Sequence, residues 1–272
     1  GTCAAVTMTG SFTLVQAPTV FRIVNVGPAC SDKGLIVELN GSEAATYTLY
    51  NNGVAVSTNT TGKFGLIQTE GVYTIQATMN GCSVLMDGTA VVQSMPSELT
   101  FTNVGLACPA QELILTGASQ TKVGYELWRN GIYVGPRLTV STAGEAVNFG
   151  SLMTPGTYTV RAVSLTNGCW IDFSGELTIQ KEPIKPVLNA NALSYCGLPS
   201  GINLSVTPES QDVWYQLYRG LTPLSGQVYG DKDLNTIVWS NVTAGNYYVA
   251  AGNRGGCRIE STRVIITSGG LN

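Results

Sequence analysis

The 272-residue chain contains no histidine, and only 11% of its residues are charged. The commonest general base is therefore missing, and with it most hydrolytic triads. The 14 Lys and Arg are scattered singly under a net charge of −3, so no basic stripe exists to neutralise a phosphate backbone, and nucleic acid is not an expected partner. No run approaches the roughly 20 apolar residues of a helical membrane span, and the first residues lack a charged-then-apolar leader pattern; membrane insertion is not expected. Helix-forming Lys and Glu are sparse. What is present is 44% hydrophobic residues, enough for packed cores, together with 32 Gly and abundant Thr, Ser and Asn. That is the composition of strands and turns, and it predicts an all-β protein.

One stretch occurs three times. "GVYTIQATMNGC" from Gly71 to Cys82 returns as "GTYTVRAVSLTNGC" from Gly156 to Cys169 and as "GNYYVAAGNRGGC" from Gly245 to Cys257. "GTC" at Gly1 to Cys3 reads as the tail of a further copy. The closing cysteines are spaced by 79, 87 and 88 residues, a period that suits a sandwich domain and not a solenoid turn. Earlier in each copy stand "YTLYNNG" from Tyr47, "YELWRNG" from Tyr125 and "YQLYRG" from Tyr215, where alternation ends in a turn, as in a strand entering a hairpin. Earlier still, each copy places one cysteine (Cys30, Cys108, Cys196) just before an apolar strand. Prolines at 18, 96 and 183 follow each copy's last strand and cannot continue its ladder. Domains are expected at 18–94, 95–182 and 183–268, with 1–17 as the final strand or hairpin of a preceding domain.

In the first full copy the pattern predicts seven strands: Val20 to Val26, Leu35 to Asn40, Thr46 to Asn51, Val54 to Ser57, Lys63 to Gln68, Val72 to Thr78 and Ser83 to Val92. They fit a two-sheet, Greek-key, immunoglobulin-like sandwich. Tyr73, Ile75 and Ala77 share one face, as do Tyr158, Val160, Ala162 and Tyr247, Val249, Ala251, which marks the inward face by repetition. Gly-x-Tyr resembles a tyrosine corner, with Tyr73, Tyr158 and Tyr247 as the hydroxyls that bond backbone at the preceding turn. The residue two places on, cysteine in antibody domains, is Ile75, Val160 or Val249 here, so the antibody disulfide is absent.

The cysteine positions suggest two per copy at one pole, paired as Cys30 with Cys82, Cys108 with Cys169 and Cys196 with Cys257, leaving Cys3 without a partner. Loops of that length stabilise a domain by about 4 kcal/mol each on the chain-entropy model. Metal binding is disfavoured: there is no CxxC, no histidine, and two sulfurs per copy fall short of four ligands. Disulfides imply an oxidising compartment. Asp172, Glu176, Asp212, Asp231 and Asp233 do not recur at matching positions and read as solvated charges. Tyr50, Trp128 and Tyr218 do recur, on the outward parity, as candidate ligand or interface aromatics. Trp170 and Trp239 are expected to seal a pole or core.

Taken together, these blocks resemble the tandem immunoglobulin-like repeats of very large secreted surface proteins of Bacteroidota, including gliding-motility adhesins and type IX secretion cargo. The resemblance implies an extracellular, cell-surface location and a non-catalytic stalk or filament that carries an adhesive tip. Its partners would be neighbouring repeats of the same long chain and a surface glycan or another surface protein, with no cofactor and no metal. A glycan-binding accessory module of a secreted polysaccharide-degrading enzyme is the alternative. Short proline-containing linkers predict three sandwiches arranged end to end, the first not touching the third.

Overall fold

In a computed structural model of the chain, residue 10 and residues 14–196 and 201–269 are described. Cys3 and most of the expected leading strand within 1–17 lie outside the described residues. The chain divides into two compact units: the first holds the residues up to Pro96 together with Thr166–Trp170, the second Ser97–Leu165 and the chain from Ile171 onward. Every regular element among the described residues is a β-strand.

The first group is β1 (Ala29–Cys30), β2 (Leu35–Glu38), β3 (Thr46–Asn51), β4 (Val54–Asn59), β5 (Lys63–Ile67), β6 (Gly71–Met79), β7 (Cys82–Leu85) and β8 (Ala90–Gln93). The second is β9 (Thr100–Phe101), β10 (Gly105–Ala107), β11 (Gln111–Thr116), β12 (Val123–Arg129), β13 (Ile132–Tyr133), β14 (Val147–Leu152), β15 (Gly156–Ser164), β16 (Trp170–Asp172) and β17 (Leu177–Ile179). The third is β18 (Asn189–Ala190), β19 (Ser194–Cys196), β20 (Leu204–Val206), β21 (Trp214–Arg219), β22 (Thr222–Pro223), β23 (Val228–Tyr229), β24 (Ile237–Trp239), β25 (Gly245–Gly252), β26 (Arg258–Glu260) and β27 (Val264–Gly269).

Each group makes a large sheet of the same order: β1-β8-β6-β3-β4, β10-β17-β15-β12-β13 and β19-β27-β25-β21-β22. In each, the first strand runs parallel to the last, as β1 does to β8, while the remaining neighbours are antiparallel. A smaller sheet, β2-β5, β14-β11-β9 or β18-β20-β24, faces it. One buried cluster per group joins the two layers. In the first, Val37 packs with Tyr47, Leu49, Tyr73, Ile75 and Ala77; in the second, Leu113, Leu115 and Val147 with Tyr125, Val160 and Ala162; in the third, Leu204 and Val206 with Tyr215, Leu217 and Val249. These are tandem immunoglobulin-like β-sandwiches.

Two tyrosines organise each core. Tyr73, Tyr158 and Tyr247 donate their hydroxyls to the carbonyls of Thr69, Thr154 and Thr243, four residues upstream, at 2.6–2.7 Å. Tyr47, Tyr125 and Tyr215, on the neighbouring strand, accept from the backbone N–H of Glu43, Gln120 and Glu209 at 2.9 Å. These three residues then use their side chains to accept from the N–H of Thr19, Ser97 and Ile184, where each sandwich begins. Thus a buried ring, its hydroxyl and one side chain anchor the incoming chain. Burial pushes the phenols of Tyr73, Tyr125 and Tyr215 above their ordinary value.

The glycine of Gly-x-Tyr has a steric cause. A Cβ at Gly71 would collide with the amide of Asn51, and one at Gly156 would meet the Arg129 stem at 2.9 Å, because the preceding hairpin lies across the start of the strand. The hairpin turn contributes directly: Asn52 and Asn130 take positive φ, and their side-chain oxygens accept from Val72 N–H and Thr157 N–H at 3.1 and 2.9 Å. The recurring blocks are therefore two halves of one contact.

Three local expectations are corrected. Val20 to Val26 is not a strand; only Arg22 and Ile23 make isolated bridges, and Gly27 at positive φ turns the chain into β1. Ser83 to Val92 is not continuous but splits into β7 and β8, since Gly88 takes positive φ and Asp87 turns aside to accept from Ile23 N–H. Trp170 does not seal a pole: it is 44% exposed. Trp239 is half-buried against the third core.

Removing the hydroxyl in Tyr158→Phe should destabilise the second sandwich by about 1 kcal/mol, the net worth of one hydrogen bond. Tyr50→Phe, on a half-exposed outer face, should change stability by less than about 0.5 kcal/mol. Urea unfolding of the oxidised chain followed by intrinsic fluorescence checks both, and equal effects would show that the corner bond is not a stabilising contact.

Candidate functional site

The cysteines stand at opposite ends of the longest strand in each large sheet. Cys30 lies opposite Gln93, next to Val92, which pairs with Gly71 at the beginning of β6; Cys82 pairs with Met79 at the end of β6. β6 is nine residues long, so roughly 25–30 Å of extended chain separates them at 3.3 Å per residue. Disulfide Cα atoms must come within about 7 Å. The same holds for Cys108, which follows β10 beside the start of β15, against Cys169, which comes after its end. It holds equally for Cys196, across from Gly269, against Cys257 beyond β25. The expected pairs Cys30–Cys82, Cys108–Cys169 and Cys196–Cys257 are therefore not formed.

Instead the early cysteine of one sandwich bonds the late cysteine of the next. Cys30 is joined to Cys169 with Cα atoms 5.7 Å apart, and Cys108 to Cys257 with Cα atoms 5.3 Å apart. Cys82 and Cys196 are free thiols. Parity of the strands could have excluded the pairs within a sandwich, because where successive strands alternate in direction the turn after the first strand and the turn after the Gly-x-Tyr strand, the sixth, lie at opposite poles.

Residues that went unremarked in the sequence complete both joints in the same way. Asn167 accepts from Cys169 N–H at 2.9 Å and donates through Nδ2 to the carbonyl of Ser94 at 3.2 Å. Asn253 accepts from Cys257 N–H at 3.2 Å and donates to the carbonyl of Lys181 at 2.9 Å. Gln180 accepts from Gly255 N–H at 2.7 Å, and Gln93, its counterpart at the end of β8, places Oε1 3.8 Å from Cys169 Sγ. The available signal was an Asn two or four residues before the late cysteine, at Asn167 and Asn253, and a Gln closing the last strand of the first and second copies, at Gln93 and Gln180.

The two bonds overlap in sequence, spanning 139 and 149 residues. Between them the backbone runs as three covalent paths in parallel: 30 to 108, 108 to 169 and 169 to 257. On the chain-entropy model each bond alone would constrain the unfolded chain by about 5 kcal/mol, and the overlap makes the two non-additive.

The remaining candidates are already engaged. Tyr50 donates its hydroxyl to Gln76 Oε1 at 3.1 Å. Trp128 carries Arg161 over its ring at 4.5 Å, and that guanidinium is bidentate to Asp172. Tyr218 is stacked on Tyr248 with centroids 4.9 Å apart, and Arg258 and Arg263 lie over the two rings. A sugar stacking on Trp128 or Tyr218 would have to displace a guanidinium. Glu209 and Asp212 line one cleft with Lys181 and Asn253, but Glu209 is bound to Ile184 N–H as described. Among the described residues no group of three or more His, Cys, Asp or Glu is placed to hold a metal ion.

No protein-family model matches the chain, and no curated protein matches it. Solved structures do. A three-domain titin fragment, an E-to-A mutated variant, is 15% identical, covers 94% of this chain and 100% of its own, and has a TM-score of 0.40. Extracellular domains 3–5 of Drosophila OTK are 16% identical over 94% and 100%, with a TM-score of 0.34. The FN1-FN3 domains of chicken CNTN1 are 15% identical over 93% and 99%, with a TM-score of 0.30.

A single proteolytic nick between residues 30 and 257 should leave the fragments joined, since each of the three paths is bridged by the other two. Limited proteolysis should give one band of full mass without reductant and separate fragments with it. Separation without reductant would refute the overlapping bonds.

Proposed function

We propose that the chain is a non-catalytic, covalently reinforced segment of an extracellular stalk, part of a long surface protein that holds a binding tip away from the cell. The observation that carries this reading is the placement of the disulfides. A bond inside a sandwich would stabilise that sandwich only, whereas these bonds tie each sandwich to its successor, at the point where a serial array is joined by little more than a linker. Disulfides that persist require an oxidising milieu, which supports a secreted or surface location. The neighbouring repeats are then the chief partners, and adhesion to a glycan or protein belongs to another part of the molecule.

A stalk transmits tension, and three parallel covalent paths limit how far it can yield. Pulled as a single molecule, the oxidised chain should release no more than 61 residues (108 to 169) between Cys30 and Cys257, about 210 Å at full extension. With reductant the same span should release 227 residues (30 to 257), about 770 Å. An oxidised chain that extends as far as the reduced one would sink the stalk reading, because the bonds would then bear no load.

A further inference from the structure

Among the described residues the free thiols are Cys82 and Cys196, and each stands at a place in its sandwich that corresponds to a bonded cysteine of the other copies. Cys82 belongs to the late class with Cys169 and Cys257. It follows a glycine at positive φ, Gly81, as they follow Gly168 and Gly256, and it comes after β6 as they come after β15 and β25. In sequence Asn80 stands two residues before its cysteine, as Asn167 does. Cys196 belongs to the early class with Cys30 and Cys108, at the end of a first strand parallel to the last. Within each class the free member is the more exposed. Cys169 and Cys257 are 0% and 4% exposed while Cys82 is half-buried, and Cys30 and Cys108 are half-buried while Cys196 is exposed.

We propose that Cys82 and Cys196 are two open half-joints of opposite kind. Cys82 takes an early-class cysteine from another sandwich of this repeat, and Cys196 takes a late-class cysteine from one. A second copy of this chain carries both, so copies can join head to tail, Cys196 of one to Cys82 of the next. The register that links Cys30 to Cys169 and Cys108 to Cys257 is thereby extended in both directions, and every joint becomes the same joint. The inference rests on the bond register and stands whether or not the array serves as a stalk.

The bond forms by thiol–disulfide exchange with a small-molecule disulfide such as oxidised glutathione. The Cys196 thiolate attacks the glutathione disulfide, releasing one glutathione thiolate and leaving a mixed disulfide. The Cys82 thiolate then attacks the protein sulfur of that mixed disulfide and displaces the second glutathione. One glutathione disulfide is reduced to two thiols, and two protein thiols are oxidised to one disulfide.

The test uses the full chain with Cys3→Ser throughout, in two further variants: Cys82→Ser, which keeps Cys196, and Cys196→Ser, which keeps Cys82. Each is concentrated with oxidised glutathione, alone and as an equimolar mixture. The mixture should shift from 28.6 kDa to twice that mass on a non-reducing gel, with Cys196–Cys82 as the linked peptide by mass spectrometry, while each variant alone stays at 28.6 kDa. The Cys3→Ser chain with both thiols should give a ladder of higher multiples. Homodimers from either variant alone in amounts equal to the heterodimer would show indiscriminate thiol oxidation and overturn the proposal. A mixture that remains monomeric would overturn it as well. Neither result bears on the pulling experiment, which reads only Cys30–Cys169 and Cys108–Cys257.

Discussion

The length of one strand governs how this protein is held together. β6, β15 and β25 are eight or nine residues long, and each keeps the two cysteines of its sandwich at opposite poles, far beyond disulfide reach. An early cysteine can therefore bond only outward, to the hairpin that presents the late cysteine of the next sandwich. Antibody domains place their bond through the core; here that place is filled by Ile75, Val160 and Val249, which are buried and apolar. Core cohesion and covalent linkage are thus assigned to different parts of the molecule. Packing holds the sandwich, and sulfur holds the series.

Packing suffices because each core is closed by two tyrosines with satisfied hydroxyls. One bonds the turn before its own strand, and the other receives an N–H from the residue that fastens the incoming chain. A buried ring supplies a large apolar area, and its hydroxyl reaches the sheet edge where backbone groups need partners. The same economy appears on the outer faces, where Trp128, Tyr218 and Tyr248 are covered by Arg161, Arg258 and Arg263 instead of standing open. The geometry shared by the two joints lies at the poles: Asn167 and Asn253 grip the preceding linker, and Gln93 and Gln180 stand where the last strands lead into it.

How much of this could be read from the chain depends on how local each feature is. Alternation along Tyr73, Ile75 and Ala77 reports burial directly, because a strand turns successive side chains to opposite faces. Gly71 and Tyr73 act within a few residues of their partners, so their pattern recurs visibly wherever the contact recurs. By contrast, the break of Ser83 to Val92 at Gly88 depends on Asp87 bonding Ile23, more than 60 residues away, and nothing in the alternation marks it. Trp170 illustrates the same limit, since an aromatic beside a cysteine carries no indication of which side meets solvent.

The sequence by itself determined an all-β chain, its three recurring copies, the inward face of each long strand and the cysteines as a disulfide framework, because strand periodicity and turn chemistry are properties of neighbouring residues. Which sulfur meets which was decided only by the tertiary structure. Strand parity puts the early and late cysteines of one copy at opposite poles but names no partner, and a disulfide forms wherever two Cα atoms approach to about 5–6 Å, here Cys30 with Cys169 and Cys108 with Cys257, 139 and 149 residues apart.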